Sequence, residues 1–159
     1  MNPDDLITSF PFTATSGLQA TLADYKGKWL VLYFYPKDST PGCTTEGQEF
    51  RDKYQDFKAL NAEVFGISRD SLTSHENFKA KQQFSFDLIS DNDEQICQQF
   101  DVIKMKSMYG KQVRGVERST FIIDPTGKLR HAWRKVKVNG HVAEVFDTLL
   151  ALQRVDNKT

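Results

Sequence analysis

The chain has 159 residues, 39% of them hydrophobic and 12% aromatic, with 21 basic and 21 acidic side chains and a formal net charge of zero. That composition excludes a disordered chain, and with no basic stripe or arginine-rich run it offers no electrostatic footprint for nucleic acid. The length suits one domain over residues 1–159 with a sizeable core. The N-terminus, MNPDDLITSF, has two acids and neither a basic nor an apolar leader segment. No apolar run approaches the roughly 20 residues needed to span a bilayer. The expectation is a cytoplasmic protein with no membrane partner.

In chain order, Phe10–Thr15 and Leu18–Leu22 alternate turn and apolar residues as a hairpin does. Trp29–Tyr35 is apolar on both faces and predicts a central strand, stopped by Pro36. A helix is expected from Gly42 or Cys43, with Phe50, Tyr54, Phe57 and Leu60 on one face. Glu63–Ser68 predicts a strand, Ser71–Gln83 a polar helix and Phe86–Ile89 a short strand. Ser90-Asp91-Asn92-Asp93 has the character of a helix start, with Ser90 as its cap and Ile96 and Phe100 facing inward. Met105, Met108 and Tyr109 are expected in a loop, packed there or lining a substrate pocket. Arg118–Asp124 and Leu129–Val138 read as a strand pair joined by the Pro125-Thr126-Gly127 turn. A last helix from about His141 carries Val142, Val145, Phe146, Leu149 and Leu152, before a frayed tail, Asp156–Thr159. Strands alternating with helices make this an α/β sandwich, and the antiparallel final pair makes its central sheet mixed.

Two cysteines are present, Cys43 and Cys97, in neither a CxxC nor a metal-finger spacing. Cys43 lies where a strand passes through a proline-containing loop into a helix, the strand end at which open α/β sheets bind ligands. The unpaired N–H groups and partial positive charge of a helix's first turn favour a thiolate, and only the thiolate attacks an electrophile. Pro36 and Pro41 restrict the loop. Thr40, three residues before the cysteine, supplies a hydroxyl that both donates and accepts, which suits a substrate with two adjacent oxygens. The bland alternative is a buried, inert cysteine at a helix start. His75, His131 and His141 form no triad or metal spacing and are expected in surface or capping roles.

Pro36-x-x-x-Thr40-x-x-Cys43 resembles the active-site pattern of the peroxiredoxins, and the run Tyr33–Glu46 followed by Phe50, Arg51 and Asp52 is most similar to the bacterioferritin-comigratory-protein, or peroxiredoxin Q, subfamily. Ile89-Ser90-Asp91, Met108-Tyr109-Gly110, Glu117–Asp124, Trp133–Lys137 and Gly140-His141 extend the likeness over nearly the whole chain. The resemblance implies a thioredoxin-like fold and reduction of hydrogen peroxide or organic hydroperoxides, with neither metal nor flavin. It assigns Cys43 as the peroxidatic nucleophile, which becomes a sulfenic acid. Thr40 binds and orients the peroxide, Pro36 shields it, and Arg118 stabilises the thiolate and the leaving oxygen. Gly42 and Cys43 add backbone donors. Glu46 serves either the helix dipole or the Arg118 guanidinium. A monomer is expected.

Many members of the subfamily carry a second cysteine five residues after the first, where this chain has Gln48. Cys97 is the one internal alternative as a resolving residue, and its apolar neighbours suit a core thiol. The expectation is a one-cysteine cycle recycled by glutathione with glutaredoxin, or by thioredoxin. Gly47, inside the helix, either eases unwinding of its first turn or meets a packing need. A peroxide sensor that relays oxidation through a Cys43 mixed disulfide needs the same cysteine and stands as the alternative function.

Overall fold

The computed structural model describes residues 1–158. Nine strands run as β1 (Pro11–Ala14), β2 (Gln19–Thr21), β3 (Trp29–Phe34), β4 (Ala62–Ser68), β5 (Asp87–Ser90), β6 (Ile103–Met108), β7 (Lys111–Val116), β8 (Ser119–Ile123) and β9 (Leu129–Trp133). The helices are α1 (Pro41–Ala59), α2 (Leu72–Gln82), α3 (Gln95–Gln99) and α4 (His141–Asp156). Seven strands form one sheet in the order β2-β1-β5-β4-β3-β8-β9. β3, β4 and β5 are parallel, while β1, β2, β8 and β9 join antiparallel. This is the mixed α/β sandwich expected from the strand and helix alternation.

Every residue of β3 is buried. Because side chains alternate along a strand, β3 serves two separate cores. Leu30, Leu32 and Phe34 face one, with Phe65, Ile67, Phe121 and the short helix α3. Trp29, Val31 and Tyr33 face the other, with Phe50, Tyr54 and Phe57 of α1, Phe78 of α2 and Val142, Val145 and Leu149 of α4. Each such side chain contributes roughly 1.5–3 kcal/mol on burial. Phe50 stacks on Tyr33 with ring centroids 4.4 Å apart, fixing α1 over the end of β3.

Several expectations need correction. Ser90 ends β5, and its hydroxyl donates to the Asp70 carbonyl rather than capping a helix. Asp91 does the capping, accepting from the Ile96 and Cys97 N–H groups at 3.0 and 2.7 Å. Met105, Met108 and Tyr109 are not in a packed loop: they belong to the β6–β7 hairpin, where Tyr109 is 99% exposed. That hairpin was missed because its residues are mostly exposed or half-buried, with Val116 alone buried, and do not show the alternating burial that marks a strand. β9 stops at Trp133, short of Val138. His75 and His141 are buried rather than at the surface, while half-buried His131 packs beside Trp133 at 4.2 Å. In the tail, Asp156 ends α4 and pairs with Arg130, and Thr159 lies outside the described residues.

Gly66 of β4 sits opposite Tyr33 in the sheet register. A Cβ there would lie 2.7 Å from the Tyr33 ring and 2.8 Å from Leu88. Gly66→Ala is expected to lower unfolding stability by about 1–3 kcal/mol through overpacking. Urea unfolding checks this, and an unchanged midpoint would mean that the Tyr33 ring yields freely.

Candidate active site

Thr40 is the N-cap of α1 and Pro41 its first residue, one position earlier than the expected start. Proline suits this place because it has no N–H to satisfy and its φ is preset for a helix. The Thr44 N–H bonds the Thr40 carbonyl at 2.9 Å, leaving the Gly42 and Cys43 N–H groups without intrahelical acceptors. The buried face of α1 runs Cys43, Glu46, Gly47, Phe50, Tyr54, Phe57. The apolar stripe legible from Phe50 onward therefore ends in a thiol and a carboxylate.

Arg118 arrives from the other direction, immediately before β8, which pairs antiparallel with β3. Its Nη2 donates to Cys43 Sγ at 3.4 Å, and its Nη1 donates to Glu46 Oε1 at 2.6 Å. Gly42 makes room for this guanidinium, since a Cβ there would lie 3.1 Å from Nη2. Glu46 thus does pair with Arg118, the second of the two roles open to it. Thr40 spends no side-chain bond on capping: its hydroxyl donates to the Lys37 carbonyl at 2.8 Å, which leaves the oxygen's lone pairs to accept. Pro36 is half-buried at the mouth of the same loop. Gln48 reaches sideways to Gln82 of α2 at 2.9 Å.

Cys43 and Cys97 are both free and buried. Cys97 packs in the core on the α3 face of the sheet, whereas Cys43 belongs to the core on the α1 face. Burial, with the Asp91 carboxylate beside it, pushes the Cys97 thiol well above its ordinary value. Gly47 faces a packing need, because a Cβ there would sit 2.3 Å from the Phe84 ring.

One feature of the loop was not read from the sequence. Asp38, inside the Pro36–Thr40 segment, is buried and accepts from Tyr35 Oη at 2.6 Å and Ser74 Oγ at 2.7 Å, with His75 Nδ1 at 2.7 Å. The available signal was helical phase: His75 lies three residues before Phe78, on the one buried face of α2. Asp38, Asp70 and His75 bring potential metal ligands within 4.8 Å of one another. Hydrogen bonds within the protein already engage each of the three side chains, Asp70 accepting from Ser68 and from the Asp38 N–H.

The AhpC/TSA family model matches residues 3–132. The chain is 56% identical over 141 residues to peroxiredoxin Bcp of Xanthomonas campestris, covering 89% of this chain and 88% of that one. It is 51% identical over 133 residues to peroxiredoxin Bcp of Bacillus subtilis, covering 84% and 85%. Among solved structures it matches the X. campestris bacterioferritin comigratory protein with a TM-score of 0.86 and 55% identity over 89% of this chain and 90% of that one; trapped intermediate and ligand complexes of that protein bear on its alkyl peroxide reduction activity. The chain therefore belongs to the AhpC/TSA family of peroxiredoxins, in the Bcp or peroxiredoxin Q group. It is a thioredoxin-like, thiol-dependent peroxidase. Among the described residues, no helix is long and apolar enough to cross a membrane.

Burial pushes the Glu46 carboxyl from 4.5 up to about 7, against the pull of Arg118. The carboxylate bears this cost because it is wholly buried, whereas Arg118 keeps 15% of its side chain in solvent. A carboxyl that holds its proton more tightly when folded contributes stability that is full below about pH 4.5 and lost as pH rises through about 7. Wild type should lose on the order of 3 kcal/mol relative to Glu46→Gln across that window. Urea midpoints against pH check the sign, and parallel curves for the two proteins would mean that Glu46 is ionised throughout.

Proposed function

We propose that the enzyme reduces hydrogen peroxide and organic hydroperoxides by a one-cysteine cycle. The Cys43 thiolate attacks one peroxide oxygen, the O–O bond breaks, and the other oxygen leaves as water or an alcohol after taking a proton. Cys43 becomes a sulfenic acid. An external thiol attacks that sulfur, releasing water and forming a mixed disulfide, and a second thiol frees Cys43 as a disulfide leaves.

In this reading Thr40 Oγ accepts from the peroxide hydroxyl, and the Gly42 and Cys43 N–H groups and Arg118 stabilise the charge that develops on the leaving oxygen. Glu46 orients Arg118 through the 2.6 Å pair, and Pro36 limits water at the loop. Organic hydroperoxides are favoured because the structural relative bears on alkyl peroxide reduction. The observation that carries the one-cysteine cycle is the placement of Cys43 and Cys97 in cores on opposite faces of the sheet. A disulfide needs Cα atoms within about 7 Å, and the sheet stands between these two. With Gln48 in place of a nearer cysteine, the electrons come from glutathione with glutaredoxin or from thioredoxin. The enzyme then works as a monomer in the cytoplasm, where such donors are kept reduced.

Peroxide consumption with dithiothreitol, glutathione plus glutaredoxin, and thioredoxin plus its reductase tests the cycle. Cys43→Ser should abolish turnover with every donor, and Cys97→Ser should retain it. Selective loss of thioredoxin-linked turnover in Cys97→Ser would make Cys97 the resolving residue. Arg118→Met should slow the peroxide step by roughly 100-fold, the usual loss for one charge-stabilising donor. A near-normal rate would remove Arg118 from the chemistry.

A further inference from the structure

The Pro36–Thr40 loop is held from outside as well as by its own Thr40–Lys37 bond. Ser39 sits in the left-handed region with φ of 63°, a conformation a serine keeps when its surroundings impose it. The restraint comes from Asp38, next to it. The Asp38 N–H donates to Asp70 at 3.0 Å, and its carboxylate takes up Tyr35, Ser74 and His75.

His75 is fully buried. Its Nδ1 faces the Asp38 carboxylate at 2.7 Å, and its Nε2 faces the Ile89 carbonyl at 2.9 Å. Tyr35 Oη, also 3.5 Å from Nδ1, gives its hydrogen to Asp38. Both ring nitrogens therefore meet protein oxygens, so the ring is held at both ends. Against the effect of burial, the bonds from His75, Tyr35 and Ser74 hold the Asp38 carboxyl below its ordinary value. The result is a buried histidine–carboxylate pair. It ties the loop before Cys43 to α2 and, through Ile89, to β5.

We infer that His75 is a positioning residue for peroxide reduction: paired with Asp38, it holds the Ser39 turn and so sets the Thr40 hydroxyl where the peroxide must lie. This rests on the reading of Thr40 as the peroxide's partner. It also explains why an acid occupies the middle of the active-site loop without facing the reacting sulfur. A small misplacement of a reacting group costs one to two powers of ten in rate. His75→Gln should therefore lower the second-order rate with hydrogen peroxide about tenfold or more.

The experiment measures single-turnover peroxide reduction for wild type, His75→Gln, Asp38→Asn, the double variant and Thr40→Val. Alkylation of Cys43 by iodoacetamide, located by peptide mass spectrometry, is measured in parallel. Expected are slowed peroxide reduction in both single variants, no further slowing in the double variant, and unchanged alkylation. Normal peroxide rates in both single variants, or alkylation that changes in step with the peroxide rate, would overturn the inference. If Thr40→Val alone reacts at the wild-type rate, the underlying reading of Thr40 fails, and the inference with it. If Thr40→Val is slow and His75→Gln is not, the positioning role alone fails.

Discussion

Burial of β3 on both sides is the constraint on which the rest of the molecule depends. A strand with one wet face would organise a single core and leave its end open to solvent. Here each face demands its own cover, and the two covers differ. Three helices close one side, while α3, Phe10, Leu22 and Phe100 close the other. The register of β3 against β8 brings Arg118 past the strand's end. The stack of Phe50 on Tyr33 aims the first turn of α1 at the same point. The meeting of guanidinium and sulfur is thus a consequence of sheet packing as much as of local motif.

The electrostatics of that meeting pull in two directions. Arg118 serves both Glu46 and Cys43. Burial works against the Glu46 charge and the guanidinium works for it. Glu46 Oε2 has no hydrogen-bond partner among the described residues, so half of the carboxylate is neither solvated nor paired. A buried ion pair of this kind adds little net stability. In the proposed cycle its value lies in fixing the fork of Arg118, which presents one nitrogen to the carboxylate and another to the sulfur.

Much of this was legible in the sequence, for physical reasons. β3 could be read because two-sided burial requires an unbroken apolar run, and α1 because its apolar face repeats at helical spacing from Phe50 to Phe57. The reactive loop could be read because proline, threonine and cysteine each have a separate local reason to be there. What escaped notice depends on tertiary pairing. β6 and β7 carry lysines and polar residues that leave no half-buried alternation, and hydrogen bonding to each other is what makes them strands. Ser90 resembled a cap, but β5 extends one residue further and Asp91 takes that task. The buried histidines were invisible because their partners, Asp38 and Thr120, lie 37 and 21 residues away. A polar residue in a core is explained only by the group it meets.

The separation of Cys43 from Cys97 by the sheet has a kinetic meaning in the proposed cycle. An enzyme that carries its own resolving thiol quenches its sulfenic acid at a rate independent of what surrounds it. With the second thiol walled off, the oxidised sulfur faces two bimolecular fates: a donor thiol returns it to service, and a second peroxide carries it to the sulfinic acid. The split between them follows the ratio of donor to peroxide. The number of turnovers each molecule completes before it is lost then becomes a property of the cell's thiol pool rather than of the fold.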